Sequence, residues 1–133
     1  MPFAFGRALK MRKTDEFSSV FRFRCVAGGP GLDVLAAPNG LDQARLGLIV
    51  PKKVIATAVA RNRIKRLLRE AFRLHQAELT GLDVIARIKS RVSEDRLQQA
   101  FLAGMPQCAS CVNQRLRSLT RAPSPGPDNL TTT

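Results

Sequence analysis

The chain has 133 residues, 22 Lys and Arg against 10 Asp and Glu, and a formal net charge of +12. Its length fits one domain, and 44% hydrophobic residues exclude a wholly disordered basic tail, which would lack the apolar surface to fold. An excess of positive charge on so small a domain repels itself unless a polyanion neutralises it, with nucleic acid the first candidate and an anionic membrane surface the second.

No apolar run reaches the roughly 18 residues needed to cross a bilayer. Arg7 and Lys10 interrupt any secretory signal core, which predicts a cytoplasmic protein. Trp and Tyr are absent, so stacking on bases falls to seven Phe residues or to Arg planes. A single His, His75, argues against His-dependent catalysis. Three cysteines do not make a disulfide framework and fit a reducing interior. Cys108 and Cys111 form a CxxC pair, but a metal site would need Cys25 and His75 to converge on it from afar, so the pair reads as two incidental thiols.

In chain order, Thr14 caps a short helix with Asp15 and Glu16 in its first turn and Phe17, Val20 and Phe21 on one face. An extra strand is placed around 22–27. Gly28-Gly29-Pro30-Gly31 is a turn; no Lys-Ser/Thr pair follows to make it a phosphate loop. Strands are predicted at 32–37 and 45–50, separated by Pro38-Asn39-Gly40. From 57 to 79 the period turns helical, with Ile64, Leu67, Leu68, Ala71 and Phe72 as the apolar stripe and Gly81 as the stop. Leu82–Ile88 reads as a strand. Ser93 caps a further helix whose end Gly104 and Pro106 leave open. The sequence after Leu119 reads as a disordered Pro/Thr-rich tail. The reading is a single α+β domain over 1–118 with a tail at 119–133.

Charge is uneven: residues 45–75 hold nine basic side chains and one acid, whereas 76–100 are balanced at four each. Between Arg61 and Arg73 one acid faces six bases. At 100° per residue, Asn62, Arg66, Arg69 and Arg73 share a narrow sector with Lys65 beside it, opposite the apolar stripe. Packing the stripe on a sheet would aim guanidinium groups outward from a rigid support. An ordinary solvated face would mix Glu and Lys at i, i+4, and a lipid-inserting helix would need its large apolar residues for the membrane. Arginine favours planar, bidentate phosphate contacts. Lys52 and Lys53 extend this surface from a strand exit. Phe17 and Phe21 read either as core residues or as a stacking surface for single-stranded bases. No Ser-His-Asp set or carboxylate pair suited to metal-assisted cleavage stands out, so no catalytic residue is assigned.

Ala60 to Phe72 closely resembles the RNR helix of the protein subunit of bacterial ribonuclease P. Lys13 to Phe21 resembles that family's K-x-x-x-F-x-x-V-F helix, Arg45 to Lys53 its R-x-G-x-x-V-x-K-K strand and exit, and Asp83 to Arg87 its D-V-I-A-R strand. The four motifs fall in order over a core of roughly residues 7–103. The elements read above run α-β-β-α-β-α, or α-β-β-β-α-β-α with the extra strand around 22–27, and the resemblance implies that they form an α/β sandwich like some ribosomal-protein and translation-factor domains. It also implies a left-handed βαβ crossover, against the general preference for the right-handed form. It implies a protein that binds a catalytic RNA, ribonuclease P RNA, and helps remove the 5′ leader of precursor tRNA. Mg²⁺ would be held mainly by the RNA, with no cofactor intrinsic to the protein, no small-molecule substrate and no membrane partner.

By the same resemblance, Arg61, Asn62, Arg63 and Arg66 contact the catalytic RNA. Phe17, Phe21, Lys65 and Arg69 line a leader cleft between the first helix and the sheet. Lys13, Lys52, Lys53, Arg73 and Arg87 supply further basic contacts. Leu35-Ala36-Ala37 lacks the aromatic that many members place in this cleft, and residues from Gly104 onward match no family motif. The competing readings are a basic ribosomal or general RNA-binding protein without a catalytic partner, and a protein-only nuclease.

Overall fold

The computed structural model describes residues 14–120, in the order α1 (Thr14–Phe23), β1 (Cys25–Gly29), β2 (Leu32–Pro38), β3 (Arg45–Ile49), α2 (Ala58–His75), a 3-10 turn (Gln76–Leu79), β4 (Leu82–Ile88) and α3 (Glu94–Thr120). This is the expected α-β-β-β-α-β-α order. The four strands form one sheet in spatial order β1-β2-β4-β3. β1 and β4 both pair antiparallel with β2, whereas β3 pairs with β4 in parallel, so α2 is the crossover of a βαβ unit.

Both faces of the central strands are buried, which is why β2 and β4 read as near-continuous apolar runs rather than alternating ones. Strand alternation sends Leu32, Val34 and Ala36 to one face, where they pack with Ile64, Leu68 and Phe72 of α2 and with Leu97, Phe101, Met105, Cys108 and Val112 of α3. Leu35, Ala37 and Ile85 point to the other face, under Val20 of α1 and the half-buried rings of Phe17, Phe21 and Phe23. Thus α2 and α3 cover one side of the sheet and α1 the other.

Helix starts follow their caps. The Thr57 hydroxyl accepts from the Ala60 amide at 3.2 Å, and the Ser93 hydroxyl accepts from the Arg96 amide at 3.2 Å. Gly81 leaves the 3-10 turn at φ 83°, a conformation that stops the helix as expected.

The C-terminal third departs from the sequence expectation. α3 runs unbroken through Gly104 and Pro106 to Thr120, so the core does not close at residue 103. Gly104 is a point of close approach and not a stop: a Cβ there would lie 2.6 Å from Cγ2 of Val34. Pro106 faces solvent within the helix. α3 also passes the 118 boundary placed before the tail; residues 121–133, and the N-terminal residues that include Lys13, lie outside the described residues. Along β1, α3 runs antiparallel: Leu97 meets the Gly31 turn, Ala100 meets Gly29, Gly104 meets Ala27 and Val34, and Cys111 meets Cys25.

That course corrects the cysteine reading. Cys25 and Cys111 are joined by a disulfide across 86 residues of sequence, because α3 returns over the start of β1. Cys108, one turn earlier, is 1% exposed and donates its thiol to the Val34 carbonyl at 3.0 Å. Burial pushes its pKa to about 11, so it is a poor nucleophile toward the neighbouring disulfide. His75 takes no part; it ends α2, 3.5 Å from Glu78.

Candidate nucleic-acid interface

α2 presents its polar side as the spacing predicts. Ile64, Leu68, Ala71 and Phe72 are buried, Asn62 and Arg66 are exposed, and Lys65 and Arg69 are half-buried. Among the described residues, no hydrogen bond or ion pair ties Lys65, Arg66 or Arg69, and exposed Lys52 and Lys53 at the β3 exit are likewise untied. Among the described residues, then, these five cations have no partner and are open to an outside anion.

Other basic side chains of the predicted set are already engaged. Arg61 donates Nη1 to the carbonyls of Ile55 and Ala56, both at 2.9 Å, which fixes the loop leading from Lys52-Lys53 into α2. Arg63 pairs with Glu94 at 2.8 Å and links α2 to the start of α3. Arg73 pairs with Glu70 one turn back; the Arg73 guanidinium holds the Glu70 carboxyl below its usual pKa, and Glu70 raises that of Arg73.

On the other side of the sheet the structure gathers a second group. Arg87 of β4 lies 5.6 Å from the centroid of the Phe21 ring and donates to Asp33 of β2 at 2.8 Å. Lys89 reaches the same carboxylate at 2.9 Å. Burial alone would raise the Asp33 pKa, but the hydrogen bonds and charges of Arg87 and Lys89 outweigh it and hold it below the usual value. At the opposite end of β4, Asp83 accepts from Arg45 at 2.7 and 2.8 Å and from Asn39 at 3.0 Å. Sequence reasoning missed both carboxylates. Their signal was an acid inside an otherwise apolar strand, which folds only with a partner supplied by a neighbouring strand.

The predicted cleft residues are therefore split. Phe17, Phe21 and Arg87 belong to the α1 side of the sheet, while Lys65 and Arg69 belong to α2 on the far side. The half-buried Phe rings are at once core and surface.

A family model described as Ribonuclease P matches residues 5–107. The chain belongs to the ribonuclease P protein family. The ribonuclease P protein component of Chromobacterium violaceum is 48% identical over 101 residues, covering 76% of this chain and 84% of that protein. That of Burkholderia mallei is 43% identical over 119 residues, covering 90% and 85%. Among solved structures, a Staphylococcus aureus RNase P protein mutant superposes with a TM-score of 0.67 at 26% identity, over 78% of this chain and 90% of that one. The RNase P protein from Thermotoga maritima gives 0.61 at 26%, over 72% and 94%. Family membership agrees with the mixed α+β domain and with the four motifs. No helix among the described residues is long and apolar enough to cross a membrane.

Proposed function

We propose that this chain is the protein subunit that binds ribonuclease P RNA and the 5′ leader of precursor tRNA in the cytoplasm, assisting endonucleolytic removal of that leader while the RNA carries the chemistry. The observation that carries the reading is the row of untied cations, Lys52, Lys53, Lys65, Arg66 and Arg69, on one rigid helix and its entry loop. Unpaired guanidinium and ammonium groups on a fixed support fit an RNA backbone, because no internal ion pair must break before a phosphate binds.

In this reading Arg66 and Asn62 contact the catalytic RNA directly. Arg61 and Arg63 add to that surface while positioning the loop and α3. Phe17 and Phe21 stack leader bases beside Arg87, and Lys65 and Arg69 take leader phosphates. Since α1 and α2 cover opposite faces, a strand touching both groups passes around the β3 edge, the sheet edge on which α2 packs. Arg73 and Lys13 are further basic contacts. Mg²⁺ belongs to the partner RNA: the buried carboxylates Asp33 and Asp83 are committed to Arg87, Lys89 and Arg45 and are not offered as ligands.

Reconstitution with ribonuclease P RNA tests this. Arg66→Ala weakens assembly with the RNA and lowers the slope of log affinity against log salt by about one, as loss of one phosphate contact requires. Phe21→Ala or Arg69→Ala weakens binding of leader-bearing substrate more than of mature tRNA; equal losses place these residues outside the leader path. Correct 5′ processing by purified protein with Mg²⁺ and no RNA would overturn the assignment of chemistry to the RNA.

A further inference from the structure

The end of α3 builds a second basic site, away from α2. α1 closes at Phe23, Arg24 takes a left-handed backbone at φ 65°, and Cys25 opens β1. Over this junction passes the last part of α3, held by the Cys25–Cys111 bond. One turn beyond it, the Arg115 guanidinium lies 5.4 Å from the centroid of the Phe23 ring. It donates to the carbonyl of Phe23 and, at 3.4 Å, to that of Arg24. Arg22, Phe23, Gln114, Arg115 and Ser118 line a groove of about 560 Å³ with no carboxylate among them.

Capping of the α1 carbonyls accounts for Arg115. It leaves the Arg22 and Arg24 side chains unexplained: both are exposed, and among the described residues neither guanidinium has an ion pair or hydrogen bond. Arg22 lines the groove beside Phe23, whose ring lies beneath Arg115, and Arg24 follows directly in the chain. The groove volume suits a nucleotide-sized group. The outer face of Arg115 offers a planar cation for a base. Gln114 and Ser118 supply amide and hydroxyl groups for its edge. The charge is of one sign, which selects an anionic partner.

We propose that this groove binds one nucleotide of RNA, its phosphate on Arg22 and Arg24 and its base stacked on the Arg115–Phe23 pair. The inference rests on the RNA-binding reading above and extends it to a surface that α2 does not line. Gln114, Arg115 and Ser118 all lie beyond residues 5–107 matched by the family model, so three of the five lining residues come from outside it. The strand it takes comes either from ribonuclease P RNA or from the precursor, and binding to each is measured separately.

The test uses the full chain with its disulfide intact. Arg22→Gln combined with Arg24→Asn removes both charges, Asn being chosen because it tolerates positive φ. The companion R22K/R24K keeps them. Binding to ribonuclease P RNA alone, and of reconstituted holoenzyme to precursor tRNA, is followed across salt concentrations. The expected result is a loss of about tenfold for one of the two RNAs with a salt slope lower by about one, as loss of one phosphate contact requires, largely restored by the Lys pair. A photo-crosslinker in place of Gln114 then marks a nucleotide in that same RNA. Unchanged affinity and slope for both RNAs, with Arg66→Ala still weakening assembly, overturns the groove alone. Unchanged binding in all variants including Arg66→Ala overturns the underlying reading as well. An equal loss in the Lys pair also overturns the proposal, because charge would not be the cause.

Discussion

Asp33 is 7% exposed in β2, yet it carries a full charge answered from two directions by Arg87 and Lys89. Its carboxyl pKa is lowered on folding, so its contribution to stability is present above the unfolded value of about 4 and is lost as pH falls through the folded one. Asp33→Asn is expected to destabilise the fold by about 1–3 kcal/mol at pH 7, because charge-assisted hydrogen bonds are lost around a buried position. Thermal or denaturant melts of wild type and variant should begin to converge below about pH 4 and meet once pH has fallen through the lowered folded pKa; a gap that persists below that value would mean packing and not charge. Because Arg87 also lies against Phe21, the same substitution frees a cation at the α1 surface. Buried electrostatics and the candidate leader surface thus share one side chain. Nothing local in the sequence showed this: Asp33 and Arg87 are neighbours only through the antiparallel register of β2 and β4.

At the scale of elements, α2 was almost wholly legible. Its stripe, cap and stop are local signals, and the 3.6-residue period separates Ile64, Leu68 and Phe72 from Asn62 and Arg66 without tertiary information. α3 was not, because Gly104 and Pro106 carry the same local signal whether they end a helix or serve inside one. At Gly104 the deciding fact is the distance to Val34. In an exposed helix Gly→Ala stabilises by about 0.5–1 kcal/mol. Here Gly104→Ala is expected to destabilise by about 1–3 kcal/mol, since the methyl group must push α3 off β2. Chemical denaturation measures the sign; a stabilised variant would show that α3 does not approach the sheet this closely.

For the whole molecule, the Cys25–Cys111 bond ties the first strand to the last helix across 86 residues. A cross-link spanning so long a loop restricts the unfolded chain and contributes about 2–4 kcal/mol. Cys111→Ser should therefore lower the melting temperature under oxidising conditions and leave little difference from wild type under strong thiol reductant. A cytoplasm keeps most thiols reduced, so there the bond is expected to respond to redox conditions; free-thiol counting before and after reductant measures its state. By itself the sequence determined the family motifs, the element order and the basic face of α2, because these rest on short-range periodicity, capping and charge. Tertiary structure alone decided which cations are free and which are tied, that α1 and α2 take opposite sides of the sheet, and that Cys25, Phe23 and Arg24 meet Cys111 and Arg115. Those outcomes depend on strand register and on the path of α3, which bring together residues that no local pattern connects.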